Sequence, residues 1–192
     1  CRMPNDDAEA KLTIEEQRAL LAVARRSLVS AVTDQKLPAL DFSYAVLQER
    51  RGAFVTLHRR GQLRGCIGYV LPLYPLRETV EQAARAAAVR DPRFPPVSPD
   101  ELPEIDIEIS VLSPMRRVQD VRQIEVGVHG LMIKKGAHTG LLLPQVAPQY
   151  AWDREHFLRQ TCIKAGLPPD AWQEGDADIL MYSAQVFGEQ DV

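Results

Sequence analysis

The stretch Leu63-Arg64-Gly65-Cys66-Ile67-Gly68 holds the residue types of this chain that point most directly to chemistry. Side chains alternate along an extended strand, so Arg64 and Cys66 are expected on one face. A guanidinium beside a sulfur favours the thiolate, which is the nucleophilic form. Gly65 and Gly68 have no side chain and let a backbone or a ligand approach closely. On residue type alone a lone cysteine is more often a small core residue than a nucleophile, so the chemical reading depends on what stands near it.

Several residues qualify as neighbours. His129, between Gly127 and Gly130, is expected in a turn from which an imidazole can act as general base. Glu108 lies on the polar side of an alternating run, with Asp106 and Ser110, where it can orient that imidazole or bind a cation. Cys66, His129 and Glu108 would then supply nucleophile, base and orienter. A turn histidine on the surface and a solvated strand carboxylate are the plainer alternatives.

Asp91-Pro92-Arg93-Phe94 offers a carboxylate and a guanidinium on a rigid loop. An internal Asp91–Arg93 contact that fixes the loop is the favoured reading, and anion capture by Arg93 the sharper one. Gln145, in Leu143-Pro144-Gln145-Val146, brings an uncharged amide suited to orienting a ligand or to tying down its loop. With Arg64, Gly65, Gly68 and Ser110 these complete the expected ligand-binding set.

Other chemistries are disfavoured. The histidines His58, His129, His138 and His156 show no paired helical spacing and no two cysteines lie close, so no metal site is expected. The glycines of the Cys66 segment sit in a hairpin rather than between a strand and a helix, so neither a phosphate loop nor a dinucleotide fingerprint is formed, and no cofactor is expected. A formal charge of −3 argues against binding that neutralises many phosphates, and nucleic acid is an unfavoured partner. Arg50, Arg51, His58, Arg59, Arg60 and Arg64 cluster locally and suit a small anionic ligand. Apolar runs break within about ten residues, well short of the roughly 20 that a membrane-spanning helix needs. Three cysteines without a close pair fit a reducing, cytoplasmic setting.

The elements that must position these groups are legible from local pattern. Thr13-Ile14-Glu15-Glu16 is a capping box opening a helix that runs to about Val32. Segments 53–58 and 63–70 form a hairpin in which Gly61 supplies a positive φ. A helix follows over 76–89 and must stop before Pro92. The run 105–111 is a half-buried strand. A second hairpin pairs 131–134 with 140–143 across Gly136. A helix opened by Trp152-Asp153 ends at Gly166, and a final strand spans about 179–187. Hairpins interleaved with helices predict an α+β fold, a largely antiparallel sheet with helices packed against it. A single domain over 12–189 is expected, with a two-lobed division near the proline-rich stretch as the alternative and a flexible segment over 1–11.

Leu63 to Gly68, Asp91 to Phe94, Ile107-Glu108-Ile109-Ser110-Val111-Leu112, His129-Gly130, Leu143 to Val146 and Lys164-Ala165-Gly166-Leu167 together resemble the AMMECR-type domain family, whose bacterial members are called AmmeMemoRadiSam system protein A. The resemblance covers about 12–189 with the blocks in family order. It implies an α+β fold, a cytosolic protein, and association with a Memo-like protein and a radical S-adenosylmethionine protein, but no established activity. Val89-Arg90 before Asp91 and the loop from Gly136 to Gly140 depart from the family pattern.

Two functions from different classes follow. The first is an enzyme-like pocket centred on Cys66, performing thiol-dependent transfer or handling a small molecule linked to those partners. The second is a non-catalytic adaptor that docks a protein or RNA, whose mark would be a broad apolar or basic patch rather than a pocket.

Overall fold

The computed structural model describes residues 11–192, so the expected flexible segment lies, up to residue 10, outside the described residues. The chain divides into two compact units. The first comprises the residues up to Leu112 together with Gln185–Val192, and the second Ser113–Ala184.

In the first unit, α1 (Ile14–Thr33) opens with the expected capping box, Thr13 Oγ1 accepting the Glu16 amide and Glu16 accepting the Thr13 amide. Strands β1 (Ala53–Arg59) and β2 (Gln62–Tyr69) form a hairpin whose turn residues Arg60 and Gly61 both have positive φ, at 53° and 74°. That pairing of positive angles matches the right-handed twist of the flanking strands. Helix α2 (Leu76–Val89), strand β3 (Ile105–Leu112) and strand β8 (Ala184–Gly188) follow, giving a sheet in the order β2-β1-β3-β8.

Alternation sorts the two faces of this sheet. Ala53, Val55 and Leu57 on β1 and Ile105, Ile107, Ile109 and Val111 on β3 are buried with Leu20, Ala24 and Leu28 of α1 and Val80, Ala83 and Ala87 of α2. Complete burial of one such leucine or isoleucine contributes about 1.5–3 kcal/mol. The other face carries Phe54, Thr56, His58, Asp106, Glu108 and Ser110, all half-buried.

In the second unit, β4 (Arg116–Arg117), β5 (Gly130–Lys135), β6 (His138–Leu142) and β7 (Asp178–Tyr182) form a sheet in the order β4-β7-β5-β6. Its core joins Leu131, Ile133, Ile179 and Met181 to Phe157, Leu158 and Cys162 of α4 (Arg154–Lys164), which ends at Gly166 with φ 75°. A short helix, α3 (Val146–Gln149), precedes α4. Two antiparallel four-stranded sheets with helices packed on them make the fold α+β, as the pattern predicts.

One element differs. The expected final strand over 179–187 is two strands in different sheets, β7 and β8, separated at Ser183. The Ser183 amide donates to Ser113 Oγ at 3.0 Å and the Ser113 amide to the Ser183 carbonyl at 2.9 Å, which fixes the crossing point. The run from Ile179 to Phe187 is apolar except at Ser183 and Gln185, and that composition does not mark where a strand leaves one sheet for another.

Candidate functional site

Cys66 lies on β2, an edge strand, with Thr56 of β1 directly opposite; Thr56 in turn faces Glu108 of β3. The row Cys66–Thr56–Glu108 therefore runs across three strands on the face away from the helices. The next row is Gly68–Phe54–Ser110. A Cβ at Gly68 would come within 2.3 Å of the Phe54 ring, so glycine there gives the ring its place. On the other face a Cβ at Gly65 would lie 2.3 Å from the Ala87 carbonyl oxygen, so glycine there lets α2 sit on the strand.

The loop after α2 holds the Cys66 peptide from the open edge of the sheet. Asp91 Oδ2 accepts the Cys66 amide at 2.9 Å, and Arg93 Nη2 donates to the Cys66 carbonyl at 3.2 Å. These bonds occupy groups that an edge strand otherwise leaves unpaired. Asp91 and Arg93 are themselves joined side-on, Nε to Oδ1 at 2.9 Å and Nη2 to Oδ2 at 2.7 Å, and the Arg93 amide also donates to Oδ1. The internal contact expected for this loop is thus present, and it reaches the cysteine.

The electrostatics follow from these bonds. The Arg93 guanidinium holds the Asp91 carboxyl well below the usual carboxylate range; burial opposes this and the Cys66 and Arg93 amides assist. Arg93 is correspondingly held more firmly protonated, by Asp91 first, with burial opposing and the Cys66 sulfur adding attraction. Asp91 is 2% exposed at its side chain and Arg93 53%, so the pair has one buried and one accessible end.

Arg64 does not play the part its position suggests. Between Leu57 and His58 the register shifts, Leu57 pairing with Gly65 but His58 with Leu63, so Arg64 is the extra residue of a β-bulge. Its guanidinium grips Glu101 at 2.8 and 2.9 Å and the Pro95 carbonyl at 3.0 Å. Arg64 holds the Glu101 carboxyl down to about 2 by these bonds, against burial and with the Ser98 amide assisting. The guanidinium near the sulfur is that of Arg93. Both arginines also lie over the Phe94 ring, 5.9 and 5.6 Å from its centroid.

Sulfur geometry completes the site. Cys66 is half-buried, and Thr56 Oγ1 donates to its Sγ at 3.3 Å. Thr56 is the residue that motif reading passes over, since only pairing across strands identifies it. Glu108 and Ser110 are on the same face as Cys66. His129 and Gln145 belong to the second unit. His129 closes a turn there, its Nδ1 accepting the Glu125 amide at 2.9 Å, and Gln145 is exposed just before α3. Among the described residues no group of three or more histidine, cysteine or carboxylate side chains forms a metal-binding cluster, and no helix is long and apolar enough to cross a membrane.

Comparison with known proteins agrees with this architecture. The family model AMMECR1 matches residues 21–187. A protein of Methanothermobacter thermautotrophicus is 44% identical over 187 residues, covering 94% of this chain and 97% of its own. Protein TK0174 of Thermococcus kodakarensis is 46% identical over 183 residues, covering 89% of each. The crystal structure of the uncharacterized protein PH0010 from Pyrococcus horikoshii superposes with a TM-score of 0.74 at 41% identity, over 90% of this chain and 91% of that one. With the family model spanning most of its length and relatives above 40% identity along nearly all of it, the chain belongs to the AMMECR1 family.

Proposed function

We propose that this protein works through the Cys66 thiol, as a thiol-dependent transfer catalyst acting on a small electrophilic substrate. The observation that carries this reading is the fixing of one half-buried cysteine from three directions: its amide by Asp91, its carbonyl by Arg93 and its sulfur by Thr56. Cys162, whose sulfur also receives a hydrogen bond from the Trp172 amide, differs in being fully buried with its thiol pushed up by burial, whereas Cys66 is half-buried beside the accessible end of Arg93. In the transfer step the thiol gives its proton to solvent, and sulfur bonds to an electrophilic carbon while the leaving group departs with the bonding electron pair. An acceptor nucleophile then takes that carbon as the C–S bond breaks and returns its electrons to sulfur. Arg93, accessible at its outer end, is suited to hold an anionic substrate group beside the sulfur. Glu108 stands two strands from Cys66, roughly 10 Å between backbones at about 4.8 Å per strand. That spacing suits it to hold a polar substrate group rather than to take the thiol proton directly. A cytoplasmic setting beside Memo-like and radical S-adenosylmethionine proteins, as implied by the family resemblance, would supply the substrate.

The test is site-resolved alkylation of the native protein by iodoacetamide, read by peptide mass spectrometry, with Cys66→Ser as the control. Cys66 is expected to react in the folded state while Cys162 stays unmodified until the chain unfolds. If Cys66 reacts only with Cys162 on unfolding, the catalytic reading is lost. A second reading, an adaptor surface, draws on the exposed Leu71, Leu73 and Tyr74 after β2, and would gain from that second result.

A further inference from the structure

We infer that Thr56 is a positioning residue for Cys66, its hydroxyl holding the sulfur in place through a hydrogen bond across the strand pair. The inference rests on the thiol reading above and adds to it a group that no sequence motif contains.

The backbone geometry makes this contact specific. Because the Cys66 amide and carbonyl turn outward to Asp91 and Arg93, the Thr56–Cys66 pair is one that exchanges no backbone hydrogen bonds with each other. Such pairs bring opposite residues to about 4.5 Å between Cα atoms, closer than the hydrogen-bonded pairs on either side. A short side chain from β1 can then reach a short side chain on β2, and Thr56 Oγ1 does so at 3.3 Å. Threonine suits the task, since its β-branch restricts χ1 and holds the hydroxyl on one bearing. A donor aimed at sulfur stabilises the charged form. The edge clamp and the cross-strand donor are coupled, because turning the Cys66 peptide inward would break both.

The charged and titratable groups around this pair are Arg93 and Asp91 from the edge loop, Glu108 opposite Thr56 on β3, and His58 with its cross-strand partner Asp106 one row away. The experiment is the rate of Cys66 alkylation against pH in the full chain for wild type, Thr56→Val and Thr56→Ser, with thermal unfolding of each. Thr56→Val keeps the branched shape and removes the donor; its rate at pH 7 should fall about tenfold and its rate–pH curve move to higher pH, as expected for a lost hydrogen bond to a charged group. Thr56→Ser, which keeps the donor, should stay within about twofold of wild type. Should Thr56→Val fail to fold, Thr56→Ala carries the same comparison. A wild-type curve from the valine variant, or equal losses in the valine and serine variants, would overturn the inference while leaving the thiol reading intact. An unreactive wild-type Cys66 would instead remove the reading beneath it.

Discussion

The Asp91 carboxylate accepts the backbone amide of Cys66 at 2.9 Å, across 25 positions of chain, at the open edge of a β-sheet. This bond ties the loop after α2 to the strand that carries the thiol. Because the same carboxylate is paired side-on with Arg93, loop and strand are held by one charged unit rather than by packing alone.

Asp91→Asn should therefore be costly out of proportion to its size. Asparagine retains a carbonyl for the Cys66 amide but loses the charge that pairs with Arg93. Hydrogen bonds to a charged group are worth about 1.5–3 kcal/mol each, so a loss of about 2 kcal/mol is expected in urea unfolding at pH 7. The folded-state pKa of Asp91 lies below its unfolded value, so this contribution is complete above the unfolded pKa near 4 and fades as pH falls toward the folded value. Wild type and variant should differ equally from pH 5 to 8 and converge below about pH 4. A difference that persists undiminished in acid would count against the charge assignment.

Glu101 gives a second acid-dependent contribution. Its side chain is 13% exposed and Arg64 holds its carboxyl down to about 2, so the pair stabilises above the ordinary glutamate range and is lost as pH drops through it. Glu101→Gln should lower stability at neutral pH and lessen its fall between pH 5 and 2. One proton bounds the change in slope at about 1.4 kcal/mol per pH unit. Urea titrations across that range check it; parallel curves for the two proteins would show that the pairing does not matter to folding.

Gly65→Ala and Gly140→Ala test close backbone approaches, one in each unit. A Cβ at Gly65 would meet the Ala87 carbonyl oxygen at 2.3 Å, and one at Gly140 the Ala165 nitrogen at 2.2 Å. Both neighbours are backbone atoms, which cannot swing aside, so each substitution should destabilise by about 1–3 kcal/mol or more. At Gly136 no atom lies within 4 Å of the added Cβ, and only its φ of 59° opposes alanine. A loss nearer 1 kcal/mol is expected there. Thermal unfolding of the three variants should rank Gly136→Ala mildest, and the reverse order would contradict the packing argument.

Local interactions were enough to determine much of this protein from its sequence. The Thr13 capping box, the span of α2, the turn at Gly61 and the glycine stop after α4 each depend on a few neighbouring residues, and the structure has all of them. The motif blocks likewise identified the family. Tertiary structure decided the site. Counting outward from the Arg59–Gln62 pair at the turn would put Thr56 opposite Gly65; the one-residue bulge at Arg64 moves it opposite Cys66. The bulge also directs Arg64 to Glu101, leaving the sulfur to Arg93. The crossing at Ser183, inside a run that is apolar except at Ser183 and Gln185, was hidden in the same way. Register, bulges and contacts between distant segments depend on how whole elements pack, and a period of two or of 3.6 residues carries no record of them.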